Sequence, residues 1–356
     1  MTDDLSPRDA QHAARGRLLI RTGWALRVTG TVVGLAGGLL FRGGLNSDHI
    51  PEGFTQGMWW LQELAGLVVL VIGLYVFGAG RRRVVRGKQH TADVIVSAGQ
   101  LAGTRYVLYL RPFANDPAMA SLPRDFQGGG SNAENLFFLT GLTYEEALVR
   151  RFRHLGRVVA IGRPGEPLPL PGAARAYLPV DDWQDTVSEL IGGAHVVMLS
   201  AGPGPGTVWE FAEALRVLPP TRLVLLAYCE PAEYDLFREA VAEEYARRAR
   251  GGPGTPDPHA GAGTEAWPPL PALPDFPPLA HPQRPRWQVL LSGGRRKPRW
   301  DFVLKGLIVF GPDWKATFVR FDPTAKRLAG PGMLNHLVKR ELQPIMEQLN
   351  ALPARN

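Results

Sequence analysis

The chain has 356 residues, 45% of them hydrophobic, enough to bury a core of ordinary domain size and to exclude a disordered protein. Its net charge of +7 is concentrated in residues 1–88, which hold eleven Lys/Arg against six Asp/Glu; the remaining residues carry only +2, with no basic face suited to nucleic acid. The single cysteine, Cys229, excludes an intrachain disulfide framework and a cysteine-based zinc site, agrees with a reducing compartment, and lies in an apolar run as a buried thiol would.

Residues 1–23 read as a cytoplasmic N-terminal segment. Residues 24–80 read as a transmembrane hairpin, with apolar helices over about 24–41 and 59–79, each close to the roughly 20 residues that span a bilayer. Arg15, Arg17, Arg21 and Arg27 cluster before or at the start of the first span, and Arg81, Arg82, Arg83, Arg86 and Lys88 follow the second. The loop between the spans has one Arg against Asp48 and Glu52, so the positive-inside rule places both termini in the cytoplasm and the chain in an inner or plasma membrane. Trp59 and Trp60 fit the outer interface, and Arg27 is expected to snorkel to the inner one. Gly30, Gly34 and Gly38 have the spacing that allows close helix contact, either within the hairpin or between copies of the chain.

Residues 81–103 read as a basic juxtamembrane connector, and from Thr104 to Arg250 strands alternate with helices. Tyr106–Leu110 is a buried-strand run, followed after a long insert (114–142, with Asp116 as a turn residue) by a helix over 143–155. Thr143 and Glu146 form a capping box for that helix, with Tyr144, Leu148, Phe152 and Leu155 on one face. Strand 157–161, a helix from Asp181 or Asp182, and strand 194–200 follow, with His195 at the junction before the last. Helix 207–218, strand 222–228 and helix 231–250 complete the series. Such alternation implies a mostly parallel sheet covered by helices on both faces. Residues 251–286 contain eleven prolines and five glycines, the composition of a flexible or polyproline-like insert with no core of its own. The stretch 287–356 predicts strands at 287–291, 302–310 and 316–321, then a closing helix over 333–350 with a kink at Pro344.

The chemistry concentrates in VVMLSAGPGPGTVWEFAEAL, residues 196–215: a strand, an irregular Gly/Pro loop, then a helix opening at Thr207. Ligands of doubly wound sheets bind beyond the carboxyl ends of strands, where helix N-termini converge, so a carboxylate here can meet a substrate. Two roles fit Glu210: a reacting carboxylate, or the third helical residue of a Thr207-Val208-Trp209-Glu210 capping box. Gly204 and Gly206 let backbone approach a phosphate, and Arg111 and Arg163, at the ends of the first two strands, are placed to supply charge to it. There is no Walker loop, HExxH, nucleophile elbow or metal-ligand spacing.

The order of elements over about 104–250 resembles a Toll/interleukin-1 receptor (TIR) domain and, beside it, the nucleoside deoxyribosyltransferases. The resemblance is carried by the loop from Gly162-Arg163-Pro164-Gly165-Glu166 through Arg175, the strand ending at Ser200 with its tryptophan helix, and Gly206-Thr207-x-x-Glu210. It departs where Leu110-Arg111-Pro112-Phe113 replaces the usual opening and where Glu follows Trp209 in place of the common Cys. The resemblance implies a flavodoxin-like fold behind the hairpin. It also implies cleavage of the N-glycosidic bond of NAD or a related nucleotide in signalling or defence, with NAD as substrate and no resident cofactor or metal. The TIR alignment selects Glu213 as the catalytic carboxylate; the transferase alignment selects Glu210. Arg111, Arg163, Gly204, Gly206 and Thr207 would bind ligand. The other implied role is a non-catalytic interaction or sensor module that assembles at the membrane through its TIR-like domain, and neither role involves nucleic acid.

Overall fold

The computed structural model of the chain describes residues 10–41, 55–95, 98–113, 143–163, 165–166, 168–178, 183–250, 267–280, 304–322 and 331–354. It divides into two units: Met1–Ala92 with Pro167–Pro171, and Asp93–Glu166 with Gly172–Asn356. The 114–142 insert with Asp116, and the strand expected at 287–291, lie outside the described residues.

The first unit is a pair of helices, α1 (Ala13–Leu40) and α2 (Gln56–Gln89), both long and apolar enough to cross a membrane. They run antiparallel and touch backbone to backbone through glycines seven residues apart: Gly16, Gly23, Gly30 and Gly37 on α1, and Gly66, Gly73, Gly80 and Gly87 on α2. A Cβ on Gly30 would lie 2.4 Å from the Phe77 backbone nitrogen, and one on Gly73 would lie 2.3 Å from that of Gly34. The seven-residue period keeps one stripe of each helix facing the other along the whole pair. Of the GxxxG series, then, Gly30 and Gly34 serve packing within the chain, while a Cβ on Gly38 would meet nothing within 4 Å.

Outside this seam the pair is apolar and bare, from Trp24 to Leu40 on α1 and from Met58 to Tyr75 on α2. Two expectations change. The residues assigned to a basic connector, Arg81 to Lys88, are the last turns of α2, because nothing between Phe77 and Gln89 breaks the helix. Arg27 does not snorkel: it is only 3% exposed, and its guanidinium lies 4.0 Å from the Trp24 ring centroid and 5.3 Å from that of Phe77. Stacking on two aromatic faces covers the charge in place.

The second unit is an α/β sheet of eight strands. They are β1 (Val94–Ile95), β2 (Tyr106–Leu110), β3 (Arg157–Ile161), β4 (Ala174–Ala176), β5 (Val196–Ser200), β6 (Leu223–Ala227), β7 (Gly306–Phe310) and β8 (Ala316–Arg320). The spatial order is β1-β4-β3-β2-β5-β6-β7-β8, parallel from β1 through β6 and antiparallel at β7 and β8. β2, β5 and β6 are buried at every position, as strands covered on both faces must be. Helices α3 (Tyr144–Phe152) and α7 (Pro331–Asn350) cover one face with Leu148, Phe152, Leu342, Ile345 and Leu349. Helices α4 (Trp183–Gly193), α5 (Pro205–Val217) and α6 (Pro231–Arg250) cover the other with Val187, Ile191, Phe211, Tyr234 and Phe237. The expected helix α7 runs through Pro344.

Two strands at one side of the sheet, the edge strand β1 and its neighbour β4, were not foreseen. β4 is only Ala174-Arg175-Ala176, and an arginine at its centre disguises a strand whose three residues are all buried. The proline-rich insert also divides. Residues 267–280 form an extended strap along α6, in which Leu273 joins the core, the Tyr234 hydroxyl donates to the Pro274 carbonyl at 3.0 Å, and Phe276 packs on Tyr234 and Phe318. Proline presets the extended backbone, so docking costs little further entropy. The rest of the insert, 251–266 and 281–286, lies outside the described residues.

Candidate functional site

From β2 the chain builds outward through β3 to β4, then returns to place β5 on the other side of β2. Where that direction reverses, beyond the carboxyl ends of β2 and β5, is the position at which doubly wound sheets hold ligands. Arg111-Pro112 follows β2 there and Ala201-Gly202 follows β5; a Cβ on Gly202 would sit 3.3 Å from Pro112.

Arg111, one of the two arginines expected to bind phosphate, is 7% exposed and is held by Glu145. The Glu145 carboxylate, fully buried, lies 3.1 Å from Arg111 Nη1 and accepts from Arg175 Nη2 at 2.8 and 2.6 Å and from the Ala173 N–H at 3.0 Å. Gly172, at φ 142°, runs against this carboxylate: a Cβ there would be 2.9 Å from Glu145 Cγ. Only glycine suits both that backbone and that gap. Two arginines thus share the one Glu145 carboxylate at the sheet's carboxyl edge. Strand alternation puts Tyr109, Ser200 and Tyr228 on this same face. Burial pushes both tyrosine hydroxyls above their ordinary pKa, so they act as neutral donors and acceptors.

Glu145 was missed at the sequence level because acids are common in a helix's first turn. The available signal was its phase: Glu145, Leu148 and Phe152 follow i, i+3, i+7, so the carboxylate shares the apolar stripe. Its neighbour Glu146 does form the expected capping box, receiving the Thr143 N–H at 2.9 Å while the Thr143 hydroxyl receives the Glu146 N–H at 3.2 Å.

The other face carries the two candidate glutamates. Helix α5 starts at Pro205 behind an N-cap at Gly204, two residues before the expected Thr207, because proline suits the first helical position and its φ extends the helix backwards. Thr207 is thereby an interior, buried residue and makes no capping box with Glu210. Glu210 sits in the second turn, half-buried, and among the described residues makes no hydrogen bond or ion pair. Burial alone raises its carboxyl to about 8, leaving roughly a tenth of it ionised at neutral pH.

Glu213 is the opposite case. It is 4% exposed, wedged among α4, α5 and α6. It accepts from Ser188 Oγ at 2.5 Å, from Arg216 Nε at 3.1 Å and from Arg248 Nη1 at 3.4 Å. The helical wheel could not show this, because the burial comes from neighbouring helices and not from the sheet.

Arg163 is exposed at the start of a turn closed by the Glu166 N–H on its carbonyl at 3.2 Å. Beside it, Gly162 lies under the Tyr177 ring, and the Tyr177 hydroxyl donates to Glu166. Positions Gly204 and Gly206 are open, with nothing within 4 Å of a built Cβ. The structure therefore gathers Gly204, Gly206 and Thr207 at the start of α5, but commits Arg111 to Glu145 and leaves Arg163 facing solvent.

His195 lies at the amino end of β5, away from this edge, and is 2% exposed. Its Nδ1 is 3.0 Å from Arg222 Nη1 and its Nε2 2.5 Å from Arg105 Nη2. Burial, with Arg105 and Arg222 adding to it, lowers its pKa from 6.5 to about 4. The folded protein thus refuses a proton that the unfolded chain accepts, so stability is full above about pH 6.5 and falls as the pH drops from there towards 4. Urea titrations near pH 7 and pH 4.5 should differ by about 2 kcal/mol more in the native chain than in His195→Gln. Equal differences would contradict this assignment. Cys229 is buried and its thiol is pushed up to about 12, which makes it a packing residue rather than a nucleophile.

The sequence matches no protein-family model, no curated protein and no solved structure.

Proposed function

We propose that the chain is a membrane-anchored, TIR-like enzyme of flavodoxin-like fold that cleaves the N-glycosidic bond of NAD or a related nucleotide, with Glu210 as the acting carboxylate. The observation that carries this reading is the contrast between the two glutamates. Glu213 is spent on Ser188, Arg216 and Arg248, whereas Glu210 is half-buried, uncommitted among the described residues and released from capping. A largely neutral carboxyl matches a cationic substrate: a glycosyl-pyridinium brought beside it favours the ionised form. That carboxylate then stabilises the positive charge that passes to the ribose as the C1′–N bond breaks and neutral nicotinamide departs, and water adds to C1′ and gives up a proton to complete the hydrolysis. Gly204 and Gly206 leave room for the ligand at the start of α5.

The test is nicotinamide release from NAD by the full-length protein in detergent micelles at high concentration. Glu210→Gln should lower the rate at least a hundredfold. In the native protein kcat/KM should rise about tenfold per pH unit up to about pH 8 and then level, because the ionised form acts. Release that is unchanged in Glu210→Gln, or flat with pH over this range, defeats the proposal.

A second reading, a non-catalytic interaction or sensor module, draws on a different observation. The turn after β3 is braced by Tyr177 and Glu166 and presents Arg163 outward, while Arg111 is already paired. In that case Glu210→Gln leaves partner recruitment intact and NAD is not consumed.

A further inference from the structure

The antiparallel register of the hairpin brings two separate basic runs of the sequence to one end. With Gly16 against Gly87 and Gly23 against Gly80, Arg15 stands level with Lys88, Arg17 with Arg86 and Arg21 with Arg82. At 1.5 Å per residue these three rungs occupy about 9 Å along the pair, close to the depth of one headgroup layer. The bare apolar belt begins immediately beyond them at Trp24 and reaches Leu40; from Arg21 to Leu40 is about 29 Å, the thickness of a bilayer's hydrocarbon core.

Arg15, Arg17, Arg21, Arg82, Arg83 and Arg86 are all exposed, and the sequence has no Asp or Glu in residues 10–30 or 77–92. Six exposed guanidiniums are thus held within about two turns of helix on each strand of the pair. Glycine contacts prevent the two helices from separating to relieve the repulsion. Each guanidinium presents a planar fork of donors suited to phosphate oxygens.

We propose that this collar is a binding site for the head groups of anionic phospholipids, which lie at the depth the rungs occupy and supply the negative charge that these helix turns lack. It rests on the hairpin crossing a membrane and is independent of any enzymatic activity. A zwitterionic head group carries its own cation and is the poorer ligand. Basic residues at a membrane surface each contribute about fivefold to attraction for anionic lipid.

The experiment reconstitutes the full-length chain into nanodiscs of phosphatidylcholine mixed with phosphatidylglycerol and counts retained lipids by native mass spectrometry. Nanodiscs expose both bilayer faces, so an inverted insertion does not alter the result. The expected outcome is at least tenfold enrichment of phosphatidylglycerol over its share of the disc. In Arg17→Gln/Arg86→Gln, whose side chains lie outside the glycine seam, enrichment falls at least fivefold while helix content is unchanged. Equal retention of the two lipids, or undiminished enrichment in the double variant, overturns the proposal. So does loss of enrichment in phosphate buffer relative to chloride at equal ionic strength, which would identify a site for free phosphate. A chain that stays out of the discs altogether refutes the membrane-spanning reading and the collar with it.

Discussion

Glu145→Gln should lower the unfolding free energy by about 3–5 kcal/mol, the largest single-residue effect expected in the second unit. Glutamine keeps the size and one acceptor but removes the charge that balances Arg111 and Arg175. Arg175 then loses the carboxylate it grips with two hydrogen bonds and Arg111 loses its ion pair with Glu145, and weakening the pairing of a buried charge costs several times more than an ordinary lost hydrogen bond. The Ala173 N–H also loses a charged acceptor at the turn that leads into β4. Replacing Arg175 with methionine in the same chain should recover part of the loss, since the buried charge that lost its carboxylate is removed with it. Urea titration of the full-length protein in detergent, followed by tryptophan fluorescence, measures both. A loss below about 1 kcal/mol for Glu145→Gln would mean that water reaches the cluster and screens it.

The second large effect belongs to the hairpin. Gly73→Ala adds one methyl group, whose carbon would lie 2.3 Å from the Gly34 nitrogen and 2.5 Å from its Cα. Both are backbone atoms of the facing helix, so no rotamer change relieves the clash and the helices must move apart along several turns. Overpacking of this kind costs about 1–3 kcal/mol or more, and here it also loosens the neighbouring glycine contacts. Gly38→Ala is the matched control: nothing lies within 4 Å of its Cβ, so better helix propensity should leave the protein unchanged or more stable by up to about 1 kcal/mol. Thermal unfolding in micelles, with a fluorophore pair near Gly16 and Gly37 partners reporting helix separation, distinguishes them. Equal behaviour of the two variants would show that the seam is not the contact surface.

Much of the organisation was legible in the chain. The apolar spans, the alternation of strands and helices, and the Thr143/Glu146 cap are local patterns, set by hydrophobic period and by side chains that reach their own backbone. The glycine seam was visible too, but at a spacing of seven: the overlapping GxxxG at Gly30, Gly34 and Gly38 drew attention from Gly16, Gly23, Gly30 and Gly37. What stayed hidden depends on partners distant in sequence. Glu145 meets Arg175 thirty residues on, β1 pairs with β4 across some eighty, and the strap at 267–280 is ordered only because Tyr234, Tyr245 and Phe318 receive it.

The candidate site divides along the same line. Composition and strand order alone determined that a carboxylate would stand near the carboxyl edge of an α/β sheet behind two apolar helices. Whether Glu210 or Glu213 was the freer of the two could not be read from a helical wheel, which records phase relative to one face. Only the packing of α4 and α6 against α5 decided it, by surrounding Glu213 with Ser188, Arg216 and Arg248 and leaving Glu210 desolvated without a counter-charge. The physical reason is that a carboxyl's state is set by the solvent and charges within a few ångströms, and in a folded chain most of those come from elsewhere in the sequence.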